Sequence, residues 1–401
     1  MKNNRQNVVV LALCQALMMS GSSLVIAVSA LVGTDLAPGP MWATLPLGIQ
    51  YFSAMATTMP ASLIMRRIGR KQGFLLGLGI GMIGALVSAW AIIEGEFITY
   101  CLGAALIGMF NSFGYYYRFA AADIAEPEFR SKAISLVMAG GVVAAFTGPN
   151  LANWSSELVS GALFAGGYLT LALFQVIAAV VLISLHLPHP SAEEVRSKGR
   201  KLIEIALQPR FLVAVLSGMG CYGVMSLVMV ATPLAMSFHG LHFSDTALVI
   251  QWHVFGMFAP SFFTGHLINR FGVLNIMLLG ALLLGISAVI NLSGVTREHF
   301  WIALFLLGLG WNFLFVGATD LVTTTYKPEE KARTQGLNDF LVLTVVGVTS
   351  LSSGLIQNLF GWVTINISVL PVILLVAVAL IGLKHYEKRP VNLPREDLWP
   401  R

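Results

Sequence analysis

Twelve apolar stretches, each long enough to cross a bilayer as a helix of about 20 residues, dominate this chain and all but exclude a soluble fold. They run roughly over 8–32, 42–65, 73–93, 97–125, 133–152, 161–187, 210–238, 245–268, 273–292, 300–325, 334–359 and 362–383. None alternates with a period of two, so helices are expected rather than barrel strands. Only 11% of the 401 residues are charged and 56% are hydrophobic, whereas soluble domains are nearer a quarter charged. The first run is about 25 residues long, beyond the roughly 7–15 of a signal-peptide core, and reads as a retained helix.

The charges have one polarity. With the N-terminus inside, the inner segments hold every Lys and Arg except Arg297 and Arg118. The positive-inside rule then puts both termini in the cytoplasm, in a multi-pass protein of the cytoplasmic (inner) membrane. The net charge of +5 is accordingly a topology signal and a contact for lipid headgroups, with no nucleic-acid partner. Residues 188–209 are the one substantial linker, with Glu193, Glu194, Arg196, Lys198, Arg200 and Lys201. It divides the chain into 1–187 and 210–401, six spans each, the second ending in a short cytoplasmic tail. Cys14, Cys101 and Cys221 lie inside apolar runs and read as small hydrophobes. His239 and His242 lack companions for a metal site. No metal, no cofactor and no obligate second copy is expected.

The halves are related. Arg67-Ile68-Gly69-Arg70-Lys71, with Ser62 five positions earlier, matches Arg270-Phe271-Gly272, with Gly265 five positions earlier. The offset is 203 residues, and the same offset joins Gly77 to Gly280 and Arg130 to Arg333. A constant offset over that distance means several helices were duplicated without net insertion, a layout common among transporters.

Six plus six spans, a central linker and this loop in duplicate resemble the major facilitator superfamily over nearly the whole chain. The family loop reads roughly Gly-x-Leu-Ala-Asp-Arg-x-Gly-Arg-Lys. Here Arg67, Gly69, Arg70 and Lys71 match, Ser62 replaces the first Gly, and Arg66 stands at the Asp position; the second copy has Asn269 there. Gly148-Pro149 late in the fifth span is also family-like. Around Tyr115-Tyr116-Tyr117-Arg118-Phe119-Ala120-Ala121-Ala122-Asp123 the chain is similar to a subgroup of bacterial permeases, near groups that take up riboflavin. The resemblance implies an all-α membrane protein of twelve transmembrane helices in two pseudo-symmetric six-helix bundles. It implies alternating access about a central site lined by spans one, four, seven and ten.

Charges inside a membrane need partners or a task. Arg118, Asp320 and Asp339 fall about 12, 10 and 9 Å from the cytoplasmic end of their spans, in one layer. In the family the inner ends of spans four and five meet ten and eleven when the inner gate is shut. Arg118 is therefore expected to pair with Asp320 or Asp339 across that gate. A carboxylate that loses its Arg in a low-dielectric cavity holds a proton more readily, which would couple transport to protons. The plainer pairings stay within one half: Asp123 with Arg67 or Arg70, and Asp320 with Arg270. Arg66, where the family has an acid, is a rival partner for Asp339. His253, matched at the same offset by Gln50, is either a proton carrier or a hydrogen bonder of a neighbouring helix.

Polar and aromatic residues at mid-depth mark the candidate binding layer: Gln15 with Ser20, Ser22 and Ser23 in span one, Asn111 and Tyr115 in span four, Tyr222 and Ser226 in span seven, Trp311 and Asn312 in span ten. Asn111, Tyr115 and Arg118 share a helical face. Such groups suit a planar, hydrogen-bonding organic solute, and Arg118 an anionic group on it; alternatively, small residues permit close helix packing and Asn glues helices. A proton-coupled secondary transporter of a small organic solute is expected, with uptake ahead of multidrug or metabolite efflux. A non-transporting sensor or lipid translocator is the reading from another class. No Walker loop, metal cluster or nucleophilic triad supports an enzyme.

Overall fold

A computed structural model describes residues 2–39, 42–156, 158–188 and 199–388. Linker residues Glu193, Glu194, Arg196 and Lys198 and tail residues Arg389, Arg395 and Arg401 lie outside the described residues. The first half comprises α1 (Lys2–Leu36), α2 (Leu45–Ile68), α3 (Arg70–Glu94), α4 (Phe97–Gly114), α5 (Tyr117–Ile124), α6 (Arg130–Ala139), α7 (Val142–Ser155) and α8 (Ala165–Ile183). A short α9 (Leu202–Ala206) precedes the second half: α10 (Pro209–Phe238), α11 (Phe243–Phe258), α12 (Ser261–Phe271), α13 (Val273–Ser293), α14 (Arg297–Thr323) and α15 (Lys331–Lys388).

Among the described residues, nine helices are long and apolar enough to span a membrane, and α11 with α12, bent by 41°, makes a tenth. The fourth span is broken at Tyr115–Tyr116, between α4 and α5, and the fifth between α6 and α7. A straight α15 of 58 residues would be about 87 Å long, nearly three times the hydrocarbon thickness. It is divided at Gly361, whose φ of 78° is left-handed. That division, with the less apolar 24-residue α2, brings the count to the twelve of the sequence reading.

The duplicated loops have the same backbone. Gly69 has φ 91° and ψ 158°, and Gly272 has φ 85° and ψ 145°. Each N–H closes the preceding helix by donating to a carbonyl four residues back, Met65 or Ile268. Only glycine enters that region without a steric penalty, which explains the same residue at both positions. In lipid, helix association depends on close packing rather than on burying surface from water, and glycine marks the contacts. A Cβ on Gly84 of α3 would lie 2.8 Å from Leu106 Cβ and 2.9 Å from Ile107 N of α4. A Cβ on Gly280 of α13 would lie 2.8 Å from the Gly310 carbonyl oxygen of α14.

The end of the linker is clasped to the second half outside the membrane. Arg200 holds the buried Glu330 through Nε–Oε1 at 2.9 Å and Nη2–Oε2 at 2.6 Å, and its backbone N–H adds a bond of 2.8 Å. Burial alone would raise the Glu330 carboxyl, but the Arg200 bonds and the Lys327 N–H outweigh it and bring it down to about 2.

Overpacking costs about 1–3 kcal/mol, so Gly84→Val is expected to lower the melting temperature of the purified protein. Gly285→Val, where a Cβ meets nothing within 4 Å, should not. For the clasp, a folded carboxyl below its unfolded value stabilises above the unfolded pKa, near 4.3, and loses that contribution as pH falls toward 2. Wild type should therefore melt above Glu330→Gln by a constant margin from pH 8 to 5, and the margin should shrink below about pH 4. A margin independent of pH throughout would refute the assignment.

Candidate functional site

Between the halves lies a small cavity, lined by Gln15, Met19, Tyr115, Arg118 and Met138 from the first half. The second half contributes Tyr222, Phe258, Trp311, Phe315, Asp339, Val342 and Leu343. The second-half side is an aromatic wall. Trp311 stacks on Phe315 with ring centroids 4.8 Å apart and planes 13° apart. Tyr222 stands edge-on to Trp311 at 5.2 Å and to Phe315 at 5.4 Å, and Phe258 edge-on to Trp311 at 5.8 Å. Tyr115 and Tyr222 are only half-buried, and their hydroxyls bond to no other group among the described residues.

An ion pair forms the floor. Arg118 Nη2 reaches Asp339 Oδ1 at 2.5 Å, with both side chains more than nine-tenths buried. Arg118 Nη1 donates to the Tyr115 carbonyl at 2.7 Å, and Asn338 donates to Asp339 Oδ1 at 2.8 Å. The guanidinium lies 4.6 Å from the Phe119 ring and 4.9 Å from that of Phe315. Of the partners expected for Asp339, the structure gives Arg118. The cation expected for an anionic substrate group is thereby neutralised inside the protein.

Beyond this floor, on the side of the duplicated loops, further bonds join the halves. Ser62 donates to the Ala332 carbonyl at 2.7 Å. Arg70 binds Asp123 at 3.0 Å and also Gln335, while Gln335 bonds to Tyr326 at 2.5 Å and donates to Asp123 at 3.4 Å. Asp123 thus pairs within its own half with Arg70, one of the two partners named for it. Asp320 accepts from Ser131 of α6 at 3.0 Å, while Arg270 lies over the Phe271 ring. Asn269 donates to the Glu128 carbonyl at 2.6 Å. An Asp there could not donate, so the departure from the family loop has a local reason. The halves also approach symmetrically. Ser62 on α2 meets the start of α15, and a Cβ on Gly265 of α12 would lie 2.6 Å from the Ser131 carbonyl oxygen near the start of α6. With these contacts made, the halves meet on the side of the duplicated loops.

The remaining candidates sit elsewhere. Asn312 is fully buried and donates to the Met257 carbonyl (2.6 Å) and Ser261 (2.5 Å) while accepting from Thr264 (2.7 Å), tying α14 to α11 and α12. His253 donates from Nδ1 to the Leu304 carbonyl at 2.7 Å, joining α11 to α14. Ser226 bonds to Ser350 at 2.5 Å. Asn111 is buried in α4 and does not line the cavity, although the Tyr115 N–H still donates to its carbonyl at 3.0 Å. Ser20 accepts from Thr147 at 2.7 Å, and Gly148 packs on Ser23.

A family model described as Major Facilitator Superfamily matches residues 11–259 and 211–400. The chain belongs to this superfamily. It is a multi-pass transporter and not an enzyme. It is 41% identical over 379 residues to a riboflavin transporter of Brucella anthropi, covering 94% of this chain and 95% of that one. Solved structures at 14–15% identity show the same fold. A bacterial homologue of the iron transporter ferroportin in an outward-facing state aligns with TM-score 0.75, covering 94% of this chain and 99% of that one. The transporter FucP in the outward conformation aligns with TM-score 0.74, covering 96% and 99%.

Removing one partner of a buried pair costs about 3–5 kcal/mol because the other charge is stranded. Arg118→Ala and Asp339→Ala are each expected to lower the melting temperature, whereas Arg118→Met with Asp339→Leu should recover most of the loss. Single variants that melt like wild type would show the pair to be dispensable for stability.

Proposed function

We propose that this transporter takes up riboflavin across the cytoplasmic membrane by alternating access, coupled to protons. The observation that carries the reading is the central cavity. An aromatic wall faces half-buried tyrosines over a neutralised ion pair, the mostly apolar lining with a few placed polar groups that small-molecule sites share. A flat aromatic ring system stacks favourably on such a wall, and the free tyrosine hydroxyls suit a polyol chain. The 41% identity to a riboflavin transporter along nearly the whole chain supports a flavin as the ring. Proton coupling is assigned to Asp339, because its cationic partner Arg118 belongs to the other half and departs when the inner gate opens. Asp320 and His253, bonded to Ser131 and to a backbone carbonyl, serve gate closure and helix packing in this reading. Metabolite efflux is the second reading, favoured by the acid Asp339 on the wall of a largely apolar cavity.

The deciding experiment is flux of labelled riboflavin in proteoliposomes of the purified chain. Saturable uptake, accelerated by an acidic exterior and abolished by a protonophore, is expected. Acceleration by an acidic interior would favour efflux. Absence of riboflavin flux in both directions would overturn the substrate.

A further inference from the structure

Three polar atoms on residues lining the cavity have no protein partner: Arg118 Nε, Asp339 Oδ2 and Trp311 Nε1. Their side chains are all more than nine-tenths buried. Buried polar groups are almost always hydrogen-bonded; atoms without a partner also occur elsewhere among the described residues, but these three lie together on residues that line one cavity. The rest of the ion pair is committed. Arg118 spends Nη1 on the Tyr115 carbonyl and Nη2 on Asp339 Oδ1, and Asp339 Oδ1 also accepts from Asn338. The heavy atoms of the pair left with no protein partner are one donor, Arg118 Nε, and one acceptor, Asp339 Oδ2, and the pair carries no net charge.

A donor beside an acceptor complements a lactam edge, that is, a ring N–H next to a ring carbonyl. We propose that the cavity selects neutral, flat heterocycles by a lactam edge laid on the Arg118–Asp339 pair. The ring N–H donates to Asp339 Oδ2, and the adjacent carbonyl accepts from Arg118 Nε. Trp311 Nε1 supplies a further donor on the aromatic wall. Arg118 is the one Lys or Arg among the lining residues and Asp339 the one acid, so a phosphate or carboxylate on the ligand meets no spare cation. The inference rests on reading this cavity as the substrate site. Riboflavin meets both conditions: its pyrimidine ring carries N3–H between two carbonyls, and its ribityl chain is uncharged. Riboflavin 5′-phosphate keeps the edge and adds the charge.

The test is thermal stabilisation of the purified full chain, titrated with riboflavin, N3-methylriboflavin, riboflavin 5′-phosphate, lumichrome and N3-methyl-lumichrome, since a ligand stabilises the state it binds. On riboflavin, N3-methylation removes the one ring donor and leaves Asp339 Oδ2 buried without a partner; lumichrome keeps a second ring N–H at N1, so only a loss of binding on its N3-methylation counts. N3-methylation is expected to weaken binding about ten- to a hundred-fold, and the phosphate at least about ten-fold. Equal binding of riboflavin and its N3-methyl derivative overturns the lactam proposal while leaving riboflavin as substrate. Equal binding of the phosphate overturns the selection for neutral ligands. Lumichrome bound with N3 discrimination, and riboflavin not bound, retains the lactam edge and removes riboflavin. No stabilisation by any of the five overturns both.

Discussion

Everything at the centre of this transporter turns on one buried ion pair that spans the two halves. Arg118 lies on α5 and Asp339 on α15, so the pair exists only while the two halves meet. Taking two charges out of water is costly, and only close pairing with further hydrogen bonds repays it. Here the pairing is close, and Tyr115 and Asn338 each add one bond, while Arg118 Nε and Asp339 Oδ2 have no protein partner. The same pair floors the cavity, cancels the charge there and anchors the inner gate. A ligand contact at the cavity floor is thereby also a contact with the gate.

The gate beneath is built from the duplication. The first loop copy reaches α15 through Ser62 and Arg70, and the second reaches the α5–α6 segment through Gly265 and Asn269. The family loop expects an acid at the positions of Arg66 and Asn269. Asn269 has become a donor to a backbone carbonyl. In the first copy Arg70 joins Asp123 and Gln335, with Tyr326 bonded to Gln335. An amide and a phenol on the second half thus meet the loop cation and Asp123. Neutral partners let go with less desolvation penalty than a second buried ion pair would impose. That suits a contact that breaks in each cycle of the proposed alternating access.

The fold was legible because its signals are contrasts. Apolar runs stand out against sparse charge, and a 203-residue offset is hard to produce by chance. Gly69 and Gly272 read as equivalents in the sequence and have nearly the same φ and ψ. The charged part of the site was legible for the same reason, since an Arg or Asp inside a span is conspicuous. Phe258, Phe315, Met19, Met138, Val342 and Leu343 were not, because an apolar residue in an apolar helix carries no contrast. Helical spacing held a usable signal: Phe315 is one turn from Trp311, Met19 one turn from Gln15, and Val342 three residues from Asp339. Asn111 was expected on the cavity face with Tyr115 and Arg118, but its side chain is buried in α4 and does not line the cavity. Asn312 sits beside Trp311 in the sequence, but adjacent residues on a helix point about 100° apart, so one faces the cavity and the other the α11–α12 bend.

The two halves bring different chemistry to the cavity, and that asymmetry bears on how the proposed substrate would move. The aromatic wall of Tyr222, Phe258, Trp311 and Phe315 belongs entirely to the second half, whereas Arg118, Tyr115 and Gln15 belong to the first. A ring stacked on the wall would travel with the second half. Arg118, however, is bound to that half twice, through Asp339 and through the face of Phe315. Opening the inner gate must break both contacts together. A cation withdrawn from a carboxylate and an aromatic face needs replacement partners at that moment. A ligand carbonyl can serve the guanidinium, and a proton can serve the carboxylate. On this reading neither ligand nor proton alone compensates for both losses, and obligatory coupling follows from the two-sided attachment of a single arginine.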